Sequence, residues 1–270
     1  MAHRSDPGYR GRPFSTLARN YPGPEVYPYD QFRVEWGPIF HRGRLDGKAR
    51  VLVIGQDPAQ HEAVVRRILV GEAGRRVQGL VGKLGITTSY VLINTYLYSV
   101  YGTVKAAVRR DPRLVDYRNR WIDGIMATGA IEAVITLGTA AKEAWELWKA
   151  TPRGQASTTP FAAVTHPTQP ESSGTTAAAR ASATKKMLAN WNLALQALAP
   201  GIFHPDQPVA LKLYGEAWAD GERLPIPAYH LPAGTPVWMF EDDGWAQRKG
   251  GDQLAKRRNI TITIPKHVIP

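Results

Sequence analysis

The chain has 270 residues, enough for one substantial core and an appendage beyond about 200 residues. It contains no cysteine, which excludes disulfides, thiolate-held iron–sulfur clusters and Cys-containing zinc sites. Lys and Arg number 34 against 23 Asp and Glu, for a net charge of +11 and a pI near 9.9. That balance points to an anionic partner, nucleic acid first and an anionic membrane surface second, with a merely solvated basic surface as the alternative.

Residues 1–30 are rich in Pro, Gly, Tyr and Arg, which predicts an extended arm rather than a regular element. In it Arg4, Arg10, Arg12 and Arg19 interleave with Tyr9, Phe14 and Tyr21, a composition that suits phosphate contact and base stacking and equally suits an arm pinned to its own domain. Met1 to Asp6 lacks the apolar stretch of a signal peptide, and no segment approaches the roughly 18 apolar residues needed to span a bilayer. The expectation is a soluble, cytoplasmic protein without membrane contact. The seven histidines show no His-x-x-x-His or comparable spacing, so neither a metal nor another cofactor is expected.

From about residue 50 to 200 short apolar runs alternate with segments of helical period, the signature of an α/β fold. The runs Val51 to Ile54, Val91 to Ile93, Ala133 to Leu137 and Phe161 to Val164 predict a central, mainly parallel four-stranded sheet in a three-layer α/β/α sandwich. Three helical stripes accompany it: Trp121, Ile122, Ile125 and Met126; Ala141, Ala144, Trp145 and Trp148; and Met187, Leu188, Trp191, Leu195 and Leu198. Their tryptophans are read as core. After Ala199-Pro200-Gly201 the texture changes to Pro-rich turns with strand-like pieces at Val209 to Leu213, Thr235 to Phe240 and the alternating Ile260, Ile262 and Ile264, with a local basic run at Lys256-Arg257-Arg258. The expected organisation is therefore an N-terminal arm and lead-in over 1–49, a catalytic domain over 50–200 and a C-terminal β-rich extension over 201–270.

Three polar groups stand just past probable strand ends, where open α/β sheets gather their reactive groups. They are Asp57 in Gly55-Gln56-Asp57-Pro58-Ala59, Asn94 after Val91-Leu92-Ile93, and His166 in Thr165-His166-Pro167-Thr168. Each alone has a purely structural alternative: an Asx turn or helix cap for Asp57, a satisfied strand-end amide for Asn94, a loop-capping ring for His166.

Together, in this order and 37 and 72 residues apart, they resemble the uracil-DNA glycosylase superfamily over roughly residues 50–200. Gly55-Gln56-Asp57-Pro58 resembles the water-activating motif of the family 1 branch, Val91-Leu92-Ile93-Asn94 its uracil-reading strand, and His166-Pro167-Thr168 its later His-Pro-Ser motif. Gly74 to Leu84 is similar to the Gly-Arg-Pro-Phe-Val-Gly-x-x-Gly-Lys-Leu segment of the thermophilic family 4 branch, and Ala133 to Ala141 to that branch's Val-Ile-x-x-Leu-Gly-x-x-Ala-Ala. The chain thus looks like a hybrid of two branches, without an iron–sulfur cluster. The resemblance implies a monofunctional, monomeric enzyme that hydrolyses the N-glycosidic bond of deoxyuridine in single- or double-stranded DNA, leaving an abasic site for base-excision repair.

The chemistry asks for these residue types. Breaking the bond develops positive charge on the sugar and negative charge on the departing base. A carboxylate at Asp57 stabilises the first and orients the attacking water. A donor at His166, with backbone N–H groups around Gln56 and Asp57, stabilises the second, and a neutral imidazole suffices. The Asn94 carboxamide accepts from uracil N3–H and donates to O4, a pairing that cytosine reverses.

Gln56, Pro58, Ala59 and Val77 complete the expected substrate pocket. Ala59 replaces the tyrosine that blocks the thymine methyl in the family 1 branch, and Val77 replaces the phenylalanine that stacks on the flipped base in the family 4 branch, a platform worth roughly 1–3 kcal/mol. Tyr96, Tyr98 and Tyr101 are candidate substitutes. No leucine follows His166-Pro167-Thr168 to wedge the duplex, although extrusion is required. The expected DNA contacts are Thr168, Gln169, Ser172, Ser173 and Arg180 around the amino end of the last long helix, with Lys185 and Lys186 along it, and Arg75, Arg76 and Lys83 in the second segment. Two alternatives stand beside uracil excision: an abasic-site or damaged-DNA binding protein with little hydrolysis, and a glycosylase of wider taste that accepts hypoxanthine, xanthine or mismatched thymine.

Overall fold

The computed structural model describes residues 8–9, 11–241 and 244–269, so Arg4 and Arg10 of the arm lie outside the described residues. The chain opens with helix α1 (Phe14–Arg19) and then forms strands β1 (His41–Gly43), β2 (Val51–Gly55), β3 (Tyr90–Asn94), β4 (Ala133–Leu137) and β5 (Phe161–Val164). Between them run α2 (Gln60–Val65), α3 (Glu72–Gly82), α4 (Ala106–Arg109), α5 (Pro112–Met126), α6 (Gly138–Lys149) and α7 (Pro152–Ala156). After β5 come α8 (Gln169–Ser172) and the long α9 (Ala177–Leu198).

The sheet has the order β1-β3-β2-β4-β5, with β2 to β5 mutually parallel and β1 antiparallel at the edge. The four apolar runs are the four parallel strands. The fifth strand, His-Arg-Gly, carries no apolar run, and it lies inside the segment expected to be lead-in. Both sheet faces are covered, which is why the strands read as unbroken Val/Ile/Leu rather than alternating. Leu52, Ile54, Val91 and Ile93 face the side of α1, α5 and α6, where Leu114, Trp121, Ile125, Trp145 and Trp148 are buried. Val51, Val53, Leu92 and Ile135 face the side of α3 and α9, where Leu80, Val81, Met187, Leu188 and Trp191 are buried. The three tryptophan-bearing stripes are core as expected.

Chain direction fixes where a site belongs. From β2 the chain steps to β3 on one flank and then returns to place β4 on the other. The crevice at the carboxyl ends of β2 and β4 is therefore the topological switch point.

The arm lies against the domain. Tyr9 meets Phe40 and Trp121 edge-on, Tyr27 meets Phe32 and Tyr98, and the Tyr117 hydroxyl donates to the Leu17 carbonyl at 2.8 Å. Tyr9, Phe14 and Tyr27 are thus taken up in packing, while Tyr21, Tyr29, Arg12 and Arg19 stay exposed.

The C-terminal region is mostly irregular. The strand expected at 209–213 does not form: Val209, Leu211 and Leu213 alternate correctly but meet no partner strand and remain exposed. The piece around 235–240, held off the ladder by Pro236, turns into α10 (Trp238–Glu241). Among the described residues, the β content of the region is one two-residue pair, β6 (Ala246–Gln247) with β7 (Thr261–Ile262), flanking α11 (Gln253–Arg258). It is nonetheless firmly anchored. Asp206 accepts the N–H groups of Thr87, Thr88 and Ser89 at 2.7–2.8 Å. Residues 222–226 run over the glycine face of α3, where a Cβ on Gly79 would stand 1.9 Å from the Glu222 carbonyl oxygen. Ile226, Leu231, Phe240 and Trp245 share a small core with Val65 and Val70. No helix among the described residues is long and apolar enough to cross a membrane.

Candidate active site

The loop after β2 is stitched to the tail of β3. Thr95 donates to the Gly55 carbonyl through both its N–H and its hydroxyl at 2.9 Å, and Tyr96 N–H donates to Gln56 at 2.9 Å. Asp57 is gripped from two sides: Val100 N–H donates to Oδ2 at 2.9 Å and the Gln56 amide donates to Oδ1 at 3.1 Å. It caps no helix. Ala59 is the cap residue of α2, and its N–H goes to Glu62 Oε2 at 3.0 Å while Val70 N–H takes the other oxygen at 3.2 Å. Asp57 is half-buried with its carboxylate deep in the protein, and burial pushes its pKa up against the pull of Val100 N–H, Gln56, Arg33 and Arg248. Burial raises Glu62 as well, and the neighbouring charge of Asp57 adds to it. Pro58 is buried and Ala59 half-buried beside this loop.

Asn94 pairs with Gly55 in the β2–β3 register. A Cβ at position 55 would lie 2.3 Å from Asn94 Oδ1, so only glycine admits the carboxamide there. The residue is 8 % exposed, and its carboxamide makes no hydrogen bond among the described residues. That is not the pattern of a strand-end amide satisfying backbone groups.

His166 sits in a loop held at both ends. Asn190 Oδ1 accepts from Thr165 N–H at 2.7 Å, Trp191 Nε1 donates to the Thr165 carbonyl at 2.9 Å, and Arg76 donates to the Pro167 carbonyl. Thr168 N–H points at His166 Nδ1 at 3.3 Å, with the Thr168 hydroxyl 3.0 Å from the same nitrogen. An amide can only donate, so Nδ1 holds the lone pair and the ring proton resides on Nε2. Burial lowers the imidazole pKa, with Glu171 opposing, and the ring is neutral at pH 7. Gly138, with φ +81° directly after β4, would bring a Cβ to 3.3 Å from that of His166. The histidine therefore leans over the end of β4, the strand next to β2, at the switch point.

Other expected site residues take different places. Val77 is 1 % exposed and belongs to the core around α3, so it presents no surface to a base; a residue at this helical position points into the sheet. Tyr96 and Tyr98 are likewise core, packed against Phe32 and Tyr27, and Tyr101 carries the Arg33 guanidinium 4.1 Å over its ring. The three cations of the second segment are already engaged. Arg76 binds Glu72, Glu171 and Pro167; Arg75 binds Glu72 and the Glu241 carbonyl; Lys83 binds Glu222 at 2.8 Å and lies over Tyr214. A phosphate would have to compete with these carboxylates to reach them. Gln169 donates to Ser173, and the hydroxyls of Ser172 and Ser173 donate to the Gln169 carbonyl, which shapes an exposed turn. Arg180 is exposed and has no ion-pair partner among the described residues, whereas Lys185 binds Glu216.

Sequence reasoning passed over the residues that hold this arrangement. Gly138, Asn190 and Trp191 fix the His166 loop, and Arg33 and Arg248 act on Asp57 from outside the domain expected to be catalytic. The glycine directly after the third apolar run was a usable signal for the first; the arginines carried none.

No curated protein matches the chain. The family model of the Uracil DNA glycosylase superfamily matches residues 42–195, more than half its length, and covers β2 to β5, Asp57, Asn94 and His166. The order of those three groups along the switch point and this match agree, and the chain belongs to the Uracil DNA glycosylase superfamily, a membership that supports a DNA glycosylase with DNA as substrate.

Proposed function

We propose that this protein is a monofunctional uracil-DNA glycosylase with residues 50–200 as its catalytic unit, hydrolysing deoxyuridine in DNA to free uracil and an abasic site. Asp57 steadies the sugar cation and orients the water whose oxygen attacks C1′. The C1′–N1 electron pair leaves with the base, and the water proton passes to solvent or to Asp57. His166 donates from Nε2 to uracil O2 as negative charge builds there. Asn94 reads N3–H and O4. Gln56 both positions Asp57 and offers its backbone to the base, and Arg180 with the Thr168–Ser173 turn receives the DNA backbone.

The observation that carries the reading is the state of the two reacting groups. The carboxylate is ringed by donors without serving any helix, and the imidazole has its Nδ1 filled so that Nε2–H is free to donate. A second reading, wider base specificity, is favoured by Ala59 and by the buried Val77, which leave the pocket without its two expected aromatic residues.

The test is base release from single- and double-stranded oligonucleotides carrying uracil, hypoxanthine, xanthine or a G·T mismatch, beside binding to an abasic site. Uracil is expected to leave fastest. Comparable release of the purines would favour the wider reading, and tight abasic-site binding with no release of any base would overturn hydrolysis.

A further inference from the structure

Residues 31–33 of the arm run beside residues 99–101. Phe32 lies opposite Val100 in an antiparallel bridge, Arg33 N–H donates to the Ser99 carbonyl and Tyr101 N–H to the Gln31 carbonyl, both at 2.8 Å. This pairing turns the N–H and C=O of Val100 away from the arm, because both groups of one strand residue point to the same edge. The N–H meets Asp57, and the C=O accepts from the Arg33 guanidinium. The guanidinium also donates to Ser99 Oγ at 3.0 Å and is sandwiched between Tyr101 at 4.1 Å and Trp36 at 5.1 Å. Arg33 is 6 % exposed; Nη1 makes both side-chain hydrogen bonds while the buried Nε makes none, and its planar guanidinium lies against two aromatic rings in a way that a lysine ammonium does not reproduce.

From the opposite terminus, β6 packs on α2, the helix that follows the Asp57 loop, and Trp245 meets His61 edge-on at 4.9 Å. The next residue after β6 is Arg248, exposed, and the packing of β6 on α2 sets it on the side of the domain where the Asp57 loop ends. Both arginines lie outside the family match at 42–195.

Resting on the proposed role of Asp57, we infer that Arg33 is a positioning residue for that carboxylate, fixing the Val100 peptide that grips it, and that Arg248 of the C-terminal extension supplies a second cation at the same spot. The two flanks thus complete a site whose reacting groups all lie in the family domain. The charged and titratable neighbours of Asp57 are Arg33, Arg248, Glu62 on α2 and Tyr96 after β3. Burial and the charge of Arg248 draw Arg33 down to about 10, so it stays protonated at neutral pH. Since both cations pull the Asp57 pKa down against burial, removing either lets it rise, and the acid limb of the reaction moves to higher pH.

The experiment is single-turnover uracil release against pH for the full-length protein and its Arg33→Met, Arg33→Lys and Arg248→Met variants. Arg248→Met should keep the alkaline plateau and lose roughly threefold on the acid limb; Arg33→Met should lose roughly tenfold there and also lower the plateau. Arg33→Lys, retaining charge without the fork, should leave the limb near its wild-type position with a reduced plateau. Acid limbs that superimpose on wild type in both methionine variants overturn the inference. Should Arg33→Met not fold, Arg248→Met and Arg33→Lys decide the matter alone. A wild-type protein that releases no uracil would instead sink the functional reading itself.

Discussion

The loops that carry Asp57 and His166 are buried to similar depth, yet burial works against one and for the other. Taking a group out of water favours its uncharged form, which means protonated for a carboxylate and deprotonated for an imidazole. In the proposed mechanism Asp57 has to be charged to steady a sugar cation, and two hydrogen-bond donors hold it while Arg33 and Arg248 draw its pKa down, groups from four different parts of the chain. In the same mechanism His166 works neutral, and among the described residues its loop has no counter-charge beyond the opposing Glu171, only donors that fix the tautomer. The expense of a buried charge thus appears as structure at one loop and not at the other.

The comparison is broken most severely by Asp57→Asn, which removes the charge and keeps the shape. We expect single-turnover uracil release to fall by about 10³-fold or more while oligonucleotide affinity is largely kept. The same variant should be more stable than wild type at pH 8. A carboxylate whose folded pKa lies above its unfolded value loses stability for the fold as pH rises through that folded pKa, and the amide has no such loss. Below pH 3.8, the ordinary value of the unfolded side chain, both states become protonated and the gain in melting temperature should fade. A variant that releases uracil near the wild-type rate would leave Asp57 without its role.

His166→Ala comes next, with an expected fall of about 10²- to 10³-fold, the scale of losing one donor to a developing anion. The wild-type pH profile sharpens the contrast. Asp57 gives an acid limb above the usual carboxylate range, and His166, neutral above its lowered pKa, adds no alkaline limb. A wild-type rate that declines as pH rises through 6 to 8 would mean that the imidazolium acts, and the two loops would then share one problem rather than divide it.

How much of this could be read from the chain follows the reach of each interaction. The parallel strands, the tryptophan stripes and the three strand-end groups were legible because an apolar run, its period and the residue just beyond it are local. Gly74 to Leu84 was legible as a likeness but not as a cause. Its glycines at 79 and 82 make room for Glu222 and Leu224, and its Lys83 pairs with Glu222, partners some 140 residues away. Its cations show the same reach: Glu72, Glu171 and Glu222 hold them, pairings that the segment alone did not reveal. Strand β1 was missed because three polar residues show no period, and the 209–213 piece was overcalled because alternation needs a partner strand that the fold does not supply. The pinned arm was one of two readings its composition allowed, and the packing of Tyr9 on Phe40 and Trp121 and of Tyr27 on Phe32 and Tyr98 fits it.

The finest test of the contrast is Thr168→Val, close to isosteric, which removes the hydroxyl 3.0 Å from His166 Nδ1 and leaves the Thr168 N–H in place. If the tautomer is set by the N–H, the imidazole keeps its proton on Nε2 and only one ordinary hydrogen bond is lost, about 0.5–1.5 kcal/mol or roughly two- to tenfold in rate. The acid limb, which belongs to Asp57, should not move. Nitrogen-15 NMR of the labelled imidazole separates the outcomes: a single Nε2–H tautomer with a modestly reduced rate supports the amide as the controlling donor. Mixed tautomers with a loss as large as that of His166→Ala would transfer that control to the hydroxyl. The His166 loop would then depend on one side-chain contact, whereas the Asp57 carboxylate is held by a peptide N–H and an amide, the first of them fixed in turn by the Arg33 guanidinium.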